Sequence, residues 1–257
     1  MGITKAGNLI GTPSGIWYSM NGGGKTHFLS TAFEVPALQP SIIIEGEPEG
    51  CSTIKKLYPD MDIFEFDWGK DINKQWDGML KDIQKFKPRF IAYDGISYSM
   101  NKIVYELSGG HKPSFNHWQT LFVVTEKLIE DLKAITPHLH VSALPSWIKN
   151  GEGDIVGVQP LLKGQDFPKN FNSIFNILGY LDMKVQKGPP STGAKVTRTL
   201  RVLADAYSVV RARVDIRENI PEPTMEKLYS VLAKAEDKSI EEYVLSKWKE
   251  GSGQISK

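Results

Sequence analysis

Several classes of protein are excluded by what this chain lacks. It holds one cysteine, Cys51, in 257 residues. A single thiol cannot close an internal disulfide, so a disulfide-stapled scaffold is excluded and a reducing cytoplasm is the expected compartment. No apolar run approaches the roughly 18 residues that a membrane helix needs. The opening "MGITKAGNLIGTPSG" has no apolar stretch of a secretory signal, and Ala6 stands where a myristoylation signal wants Ser or Thr. Neither charge sign dominates: 31 Lys and Arg face 30 Asp and Glu, so the molecule as a whole is no polycation seeking nucleic acid. There is no internal repeat and no low-complexity tract. A soluble, intracellular chain with 40% apolar residues is what these absences leave, long enough for one sizeable α/β domain and a small appendage.

What is present is first an alternation of short β-rich runs and helical stretches, the pattern of a parallel sheet with crossover helices. Strands are expected at Gly15–Ser19, "SIIIEGE", "DIFEFDW", "RFIAYDG" and "HLHVSALP". Helices are expected at about 25–33, around 51–57, through "INKQWDGMLKDIQKF" with Ile72, Trp76, Met79, Leu80 and Ile83 on one face, and through "NHWQTLFVVTEKLIEDLKAI". Residues 147–171, rich in glycine and polar groups, read as loops. Two longer strands, about 173–185 and 197–209, follow, joined by a tip at 188–195. Two short helices close the chain, the second with a Ser239–Glu242 capping box. The expected division is an N-terminal extension (1–14), an α/β core (15–217), C-terminal helices (218–250) and a frayed tail (251–257).

The stretch "WYSMNGGGKTHFL" is one residue away from the phosphate-loop pattern G-x-x-x-x-G-K-[ST], with Ser19 where the first glycine belongs. Gly22, Gly23 and Gly24 allow backbone N–H groups to turn onto phosphate oxygens, flanked by Asn21 and His27. Lys25 has the reach for the β- and γ-phosphates of ATP, Thr26 is the hydroxyl ligand for Mg²⁺, and the following helix adds its dipole. Ser19 substitutes for glycine if its φ stays negative. The alternative reading is a helix-capping turn with an exposed lysine. "RFIAYD" ends in Asp94, the carboxylate that a Walker B strand offers to Mg²⁺. No glutamate follows it, because the next residue is Gly95. The water-activating base is therefore sought in "IIIEGEPEG", among Glu45, Glu47 and Glu49, with Glu47 preferred. The alternative there is a solvated acidic turn.

The order of these elements, with "FIAYDGIS", "HVSAL" and a late "VVRARV", resembles the RecA-like branch of P-loop ATPases over about residues 12–217. It looks most like the short AAA-type, RecA-core recombination and single-strand-annealing proteins of bacteriophages. The resemblance implies a RecA-like fold: a twisted, mostly parallel sheet flanked by helices and extended by antiparallel strands on the C-terminal side. It implies ATP hydrolysis with Mg²⁺ at subunit boundaries of a ring or filament, in the host-cell cytoplasm, on single-stranded DNA, and a single-strand-binding protein as a possible partner. The family's catalytic glutamate after the second strand falls on Glu47. Its late basic pair falls on Arg211 and Arg213, with Arg213 reaching a neighbour's nucleotide in trans. The alternative for that pair is an edge-strand arginine pair with local carboxylates such as Asp215.

The family's DNA-binding loops correspond to about 109–116 and 149–171. Lys112, Phe115, Trp147, Lys149, Lys163, Phe167, Lys169 and Phe171 interleave bases with aromatics there or beside them. Small core anchors are the competing reading. From Lys169 to Arg213, eight basic residues (Lys169, Lys184, Lys187, Lys195, Arg198, Arg201, Arg211, Arg213) meet only Asp182 and Asp205, a local positive region for phosphates or a subunit edge. His111, His117, His138 and His140 lack the spacing of a metal site. Two other functions stay open: a nucleotide-dependent binding module with little hydrolysis, and, more distantly, a small-molecule kinase. The arginine-free segment 97–113 speaks against the kinase.

Overall fold

The computed structural model describes residues 11–67, 70–163, 167–186 and 195–252, with the backbone alone at 73, 167–170 and 249–252. Lys187, the tip but for Lys195, residues 1–10 of the expected extension and 253–257 of the expected tail lie outside the described residues, as do the side chains of Phe167 and Lys169.

The chain forms β1 (Gly15–Tyr18), α1 (Lys25–Ser30), β2 (Ser41–Glu45), β3 (Asp62–Glu65), α2 (Ile72–Phe86), β4 (Phe90–Asp94), α3 (Ile96–Leu107), α4 (Phe115–Ile135) and β5 (His138–Ala143). It continues with β6 (Pro145–Lys149), β7 (Ile155–Pro160), α5 (Phe167–Ile174), β8 (Ile177–Gln186), β9 (Lys195–Arg201), β10 (Arg211–Ala212), β11 (Ile220–Pro221), α6 (Met225–Lys234) and α7 (Ile240–Ser252). The main sheet runs β11-β9-β8-β1-β5-β4-β2-β3. It is parallel from β8 to β3 and antiparallel from β8 through β9 to β11. β10 shares with β9 the edge of β8 that faces away from β1.

The four central strands β1, β5, β4 and β2 are buried along their whole length, as parallel strands covered on both faces must be. Period-two alternation sorts their side chains into two cores. Ile16, Tyr18, Ile42, Ile44, Ile91 and Tyr93 point to one, which α2, α3 and α4 close with Met79, Ile103 and Leu128. Trp17, Ile43, Phe90 and Ala92 point to the other, which is closed by Phe28 and Leu29 of α1, Leu228 and Tyr229 of α6, and Tyr243 of α7. The C-terminal helices therefore belong to the core that α1 shares. This is an α/β fold with a mostly parallel mixed sheet and helices on both faces, compatible with Rossmann-like and P-loop-like arrangements.

Several expected elements differ. Residues 51–57 form turns in place of a helix, held by the buried Glu45 carboxylate accepting from the Cys51 amide at 2.7 Å. The expected 25–33 helix is α1 for six residues and then a 3₁₀ turn, Thr31–Glu34. The segment 147–171 is not loop. It carries the β6–β7 hairpin, turned by the Asn150 side chain, which accepts from the amides of Glu152 and Asp154, and then most of α5. The strand expected from 173 starts at Ile177, and the one expected to reach 209 ends at Arg201, where Asp205 accepts from the backbone of Tyr207 and Ser208 and turns the chain. The Ser239–Glu242 capping box is present, and α7 runs on to Ser252. His117, a histidine without metal spacing, completes a second capping box with Ser114 at the start of α4.

Candidate phosphate-loop site

β1, β2, β4 and β5 deliver their carboxyl ends to one edge of the sheet, with Tyr18 level with Ala143 and Glu45 level with Asp94. That edge is where open α/β sheets hold ligands. Residues 19–24 turn there. Ser19 keeps a negative φ, is buried, and donates its hydroxyl to the Leu181 carbonyl of β8 at 2.8 Å. Gly23 folds back over it, its amide donating to the Met20 carbonyl at 3.0 Å, and a Cβ on Gly23 would lie 1.8 Å from the Ser19 hydroxyl. Gly22 and Gly24 have φ of 75° and 94°, the left-handed region that side chains avoid. Asn21 and His27 lie exposed on the rim. With only six residues in α1, the loop's own N–H groups and cations, more than a long helix dipole, determine what it attracts.

Lys25 donates back to the carbonyls of Ser19 and Met20 at 3.0 and 3.3 Å, and burial lowers its pKa against the opposing pull of Asp94 and Glu47. Thr26 donates to Asp94 Oδ2 at 2.5 Å, and Ser142 of β5 donates to Asp94 Oδ1. Asp94 is buried, and burial raises its pKa while these two hydroxyls and Lys25 pull it down. Ser142 also accepts from the Gly95 amide at 2.9 Å. It is a site residue that the sequence reading missed, because only the insertion of β5 between β1 and β4 brings it to the carboxylate.

The acidic turn separates into two roles. Glu45 is committed to the Cys51 amide. Glu47 is half-buried, its pKa raised by burial and then by Asp94, with Lys25 opposing. Gly95, with φ of 100°, passes so close that a Cβ there would lie 3.2 Å from both the Glu47 amide nitrogen and its Cγ. The left-handed φ and this tight approach both disfavour a side chain at the position after Asp94, and the acid that faces this region arrives from β2. Oxygen donors alone, from Thr26 and Asp94, suit Mg²⁺. Among the described residues no cluster of three or more His, Cys, Asp and Glu side chains forms a metal site of its own.

Arg211 and Arg213 are not brought to the loop of their own chain. Arg211 is level with Leu178, and the Arg213 amide bonds to the Asn176 carbonyl, so β10 descends toward the opposite edge. Both guanidinium groups cap the carboxyl end of α5. Arg211 donates to the carbonyls of Asn172 and Phe175, Arg213 to that of Ser173, and Lys133 of α4 to that of Ile174. Four carbonyls at this helix end thus receive three cations. Asp215, the carboxylate expected beside the pair, binds Arg217 instead. The expected positive region disperses further, since Arg201 is held by Asp182 and Asp205. Arg198 turns to the glycine loop: a Cβ on Gly24 would lie 2.9 Å from its Nε.

Of the aromatic and basic residues proposed for DNA, Phe115 is 73% exposed and Trp147 38%, beside exposed Lys112 and Lys149. Lys163 is half-buried. Phe171 is a core residue, fully buried against Phe175. His138 and His140 lie inside the second core, joined by the hydroxyl of Tyr229.

The chain matches no protein-family model and no curated protein. Fold and site together define an α/β protein with a glycine-lysine-threonine loop at the carboxyl edge of its sheet. No helix among the described residues is long and apolar enough to cross a membrane.

Proposed function

We propose that this chain is an ATPase of the RecA-like P-loop type that binds ATP with Mg²⁺ at residues 19–27 and acts on single-stranded DNA as an oligomer. The observation that carries the reading is the meeting of Lys25, Thr26, Asp94 and Glu47, from three separate strand ends, around one glycine loop. In this reading the loop amides and Lys25 bind the phosphates. Thr26 and Asp94 hold Mg²⁺, which neutralises phosphate charge when bound. Ser142 keeps Asp94 oriented. Glu47 takes the proton of the attacking water, and its raised pKa shifts the acid limb of turnover above the ordinary carboxylate range. Exposed Phe115, Trp147, Lys112 and Lys149 suit stacking on bases and contact with a phosphate backbone.

A second reading, a nucleotide-dependent binding module with little hydrolysis, draws on the Lys25 ammonium folding back onto the carbonyls of its own loop. The test is Mg²⁺-dependent release of phosphate from ATP, with and without single-stranded DNA, by wild type, Lys25→Ala and Glu47→Gln. Loss of binding in the first variant, with loss of turnover but not of binding in the second, is expected. Wild type that binds ATP without turnover selects the module.

A further inference from the structure

We propose that Arg198 is a phosphate contact supplied in cis, a guanidinium held over the glycine loop to receive the oxygens of a nucleoside polyphosphate. The proposal rests on the reading of residues 19–27 as a nucleotide site.

Three observations carry it. The backbone of Arg198 is fixed in place on β9. Across one edge it stands opposite Met183 of β8. Across the other, its amide donates to a Glu222 carboxylate oxygen at 3.1 Å and its carbonyl accepts from the Glu222 amide at 2.8 Å. From this fixed base the side chain crosses to Gly24, where a Cβ would stand 2.9 Å from Nε, 3.3 Å from Cδ and 3.7 Å from Cζ. Gly24 therefore serves twice, giving the left-handed turn and leaving the space that the guanidinium fills.

The third observation is that Arg198 Nε is buried with no hydrogen-bond partner, and among the described residues no carboxylate forms an ion pair with the side chain. Its neighbour on the strand, Arg201, is neutralised by Asp182 and Asp205. A buried donor of a cationic group left unpaired is costly, and here it sits beside a loop whose other cation is Lys25. An anion with several oxygens satisfies both cations at once, and a planar guanidinium suits phosphate in two-point contact.

The experiment measures Kd for a non-hydrolysable ATP analogue and for ADP, each with Mg²⁺, in wild type, Arg198→Ala, Arg198→Lys and Lys25→Ala. Loss of one charge-assisted contact predicts affinity about tenfold weaker in Arg198→Ala, with an intermediate loss in Arg198→Lys. Ligand-free Arg198→Ala does not fall below the wild-type Tm, since no hydrogen-bonded protein partner is lost and an unpaired buried donor is removed. Mixing Arg198→Ala with Lys25→Ala restores no binding, because both groups serve one site in one chain. Unchanged affinity in Arg198→Ala, while Lys25→Ala loses binding, overturns the assignment and leaves the nucleotide reading standing. A lowered ligand-free Tm with affinity retained makes Arg198 a structural residue and also overturns it. Restoration of binding on mixing assigns the arginine to a neighbouring chain and overturns the cis placement. Wild type that binds neither nucleotide removes both readings together.

Discussion

The hydroxyl of Ser19 occupies the space that a Cβ on Gly23 would need, 1.8 Å from that position, while donating to the Leu181 carbonyl of β8. The departure from the phosphate-loop pattern and one of the loop's three consecutive glycines are thus a matched pair. Ser19→Gly removes a buried hydrogen bond, adds backbone freedom to the unfolded chain and is expected to cost about 1–2 kcal/mol in urea unfolding. Gly23→Ala is expected to disrupt the loop. Ser19→Gly rescues it only partly, because the Met20 carbonyl still lies 2.9 Å from the added Cβ. Full recovery of nucleotide affinity in the double variant would show that Ser19 alone excludes a side chain at 23.

Asp94 is buried, and burial raises its pKa. Its folded-state pKa lies above the unfolded value, so its linkage favours folding at low pH and is lost as pH rises through the raised pKa. Asp94→Asn keeps the shape of the group, removes its charge and turns one acceptor oxygen into an NH₂ donor, toward which the Thr26 or Ser142 hydroxyl must present its oxygen. It is expected to raise the ligand-free Tm at neutral pH by about 2–4 °C, the equivalent of about 1 kcal/mol. In the proposed function it also abolishes Mg²⁺-dependent turnover. A lower Tm would mean that the Thr26 and Ser142 hydrogen bonds to the carboxylate outweigh its burial.

A chain of hydrogen bonds runs through the second core. Trp17 Nε1 donates to His140 Nδ1 at 3.0 Å, which leaves His140 Nε2–H to donate to Tyr229 Oη at 3.1 Å. The Tyr229 hydroxyl then donates to His138 Nδ1 at 3.0 Å, and His138 Nε2–H to the Val244 carbonyl at 3.2 Å. Every donor finds an acceptor only while both rings are neutral. Burial accordingly pushes His138 down to about 3 and His140 well below its ordinary value. Both folded-state pKa values lie below the unfolded value, so stability is intact above about pH 6.5 and falls below it as the unfolded chain takes up protons. The expected slope in urea unfolding between pH 6 and 4 is up to about 1.4 kcal/mol per pH unit for each histidine. Tyr229→Phe leaves two ring nitrogens without partners and is expected to cost about 2–4 kcal/mol at pH 7.5. A pH-independent stability would contradict the neutral network.

Arg211 and Arg213 differ in burial, and their variants are expected to differ in kind. Arg211 is half-buried and donates to two carbonyls at the end of α5, so Arg211→Ala is expected to lose about 2 kcal/mol. Arg213 is exposed and holds one carbonyl, at 3.1 Å, so Arg213→Ala is expected to lose under about 1 kcal/mol. Thermal unfolding of the two variants checks that order. An Arg213→Ala protein with wild-type Tm and no turnover would instead give this arginine the catalytic role in trans that its strand position suggested.

The chain's local chemistry determined a good deal by itself. Continuous β-branched runs such as "SIIIE" marked interior strands because only parallel strands covered on both faces are apolar throughout. Consecutive glycines before Lys25 and Thr26 marked the turn, and an aspartate closing "RFIAYD" marked a strand end beside it. These signals are legible because each lies within one short segment. Tertiary structure alone decided the rest. Nothing near Ser142 in the sequence indicates a site, and Arg198 is there only one of eight residues in a basic region; each reaches the site through the order of strands: β5 inserted between β1 and β4, and β9 paired to β8 with the Arg198 side chain against Gly24. The pair in "VVRARV" carries the same residues at either edge of a sheet. The direction of β10, set by its pairing with Leu178 and Ile177, turned it from the glycine loop to the end of α5. A strand's path across a sheet depends on which distant backbone satisfies its hydrogen bonds, and that is a property of the fold, not of the segment.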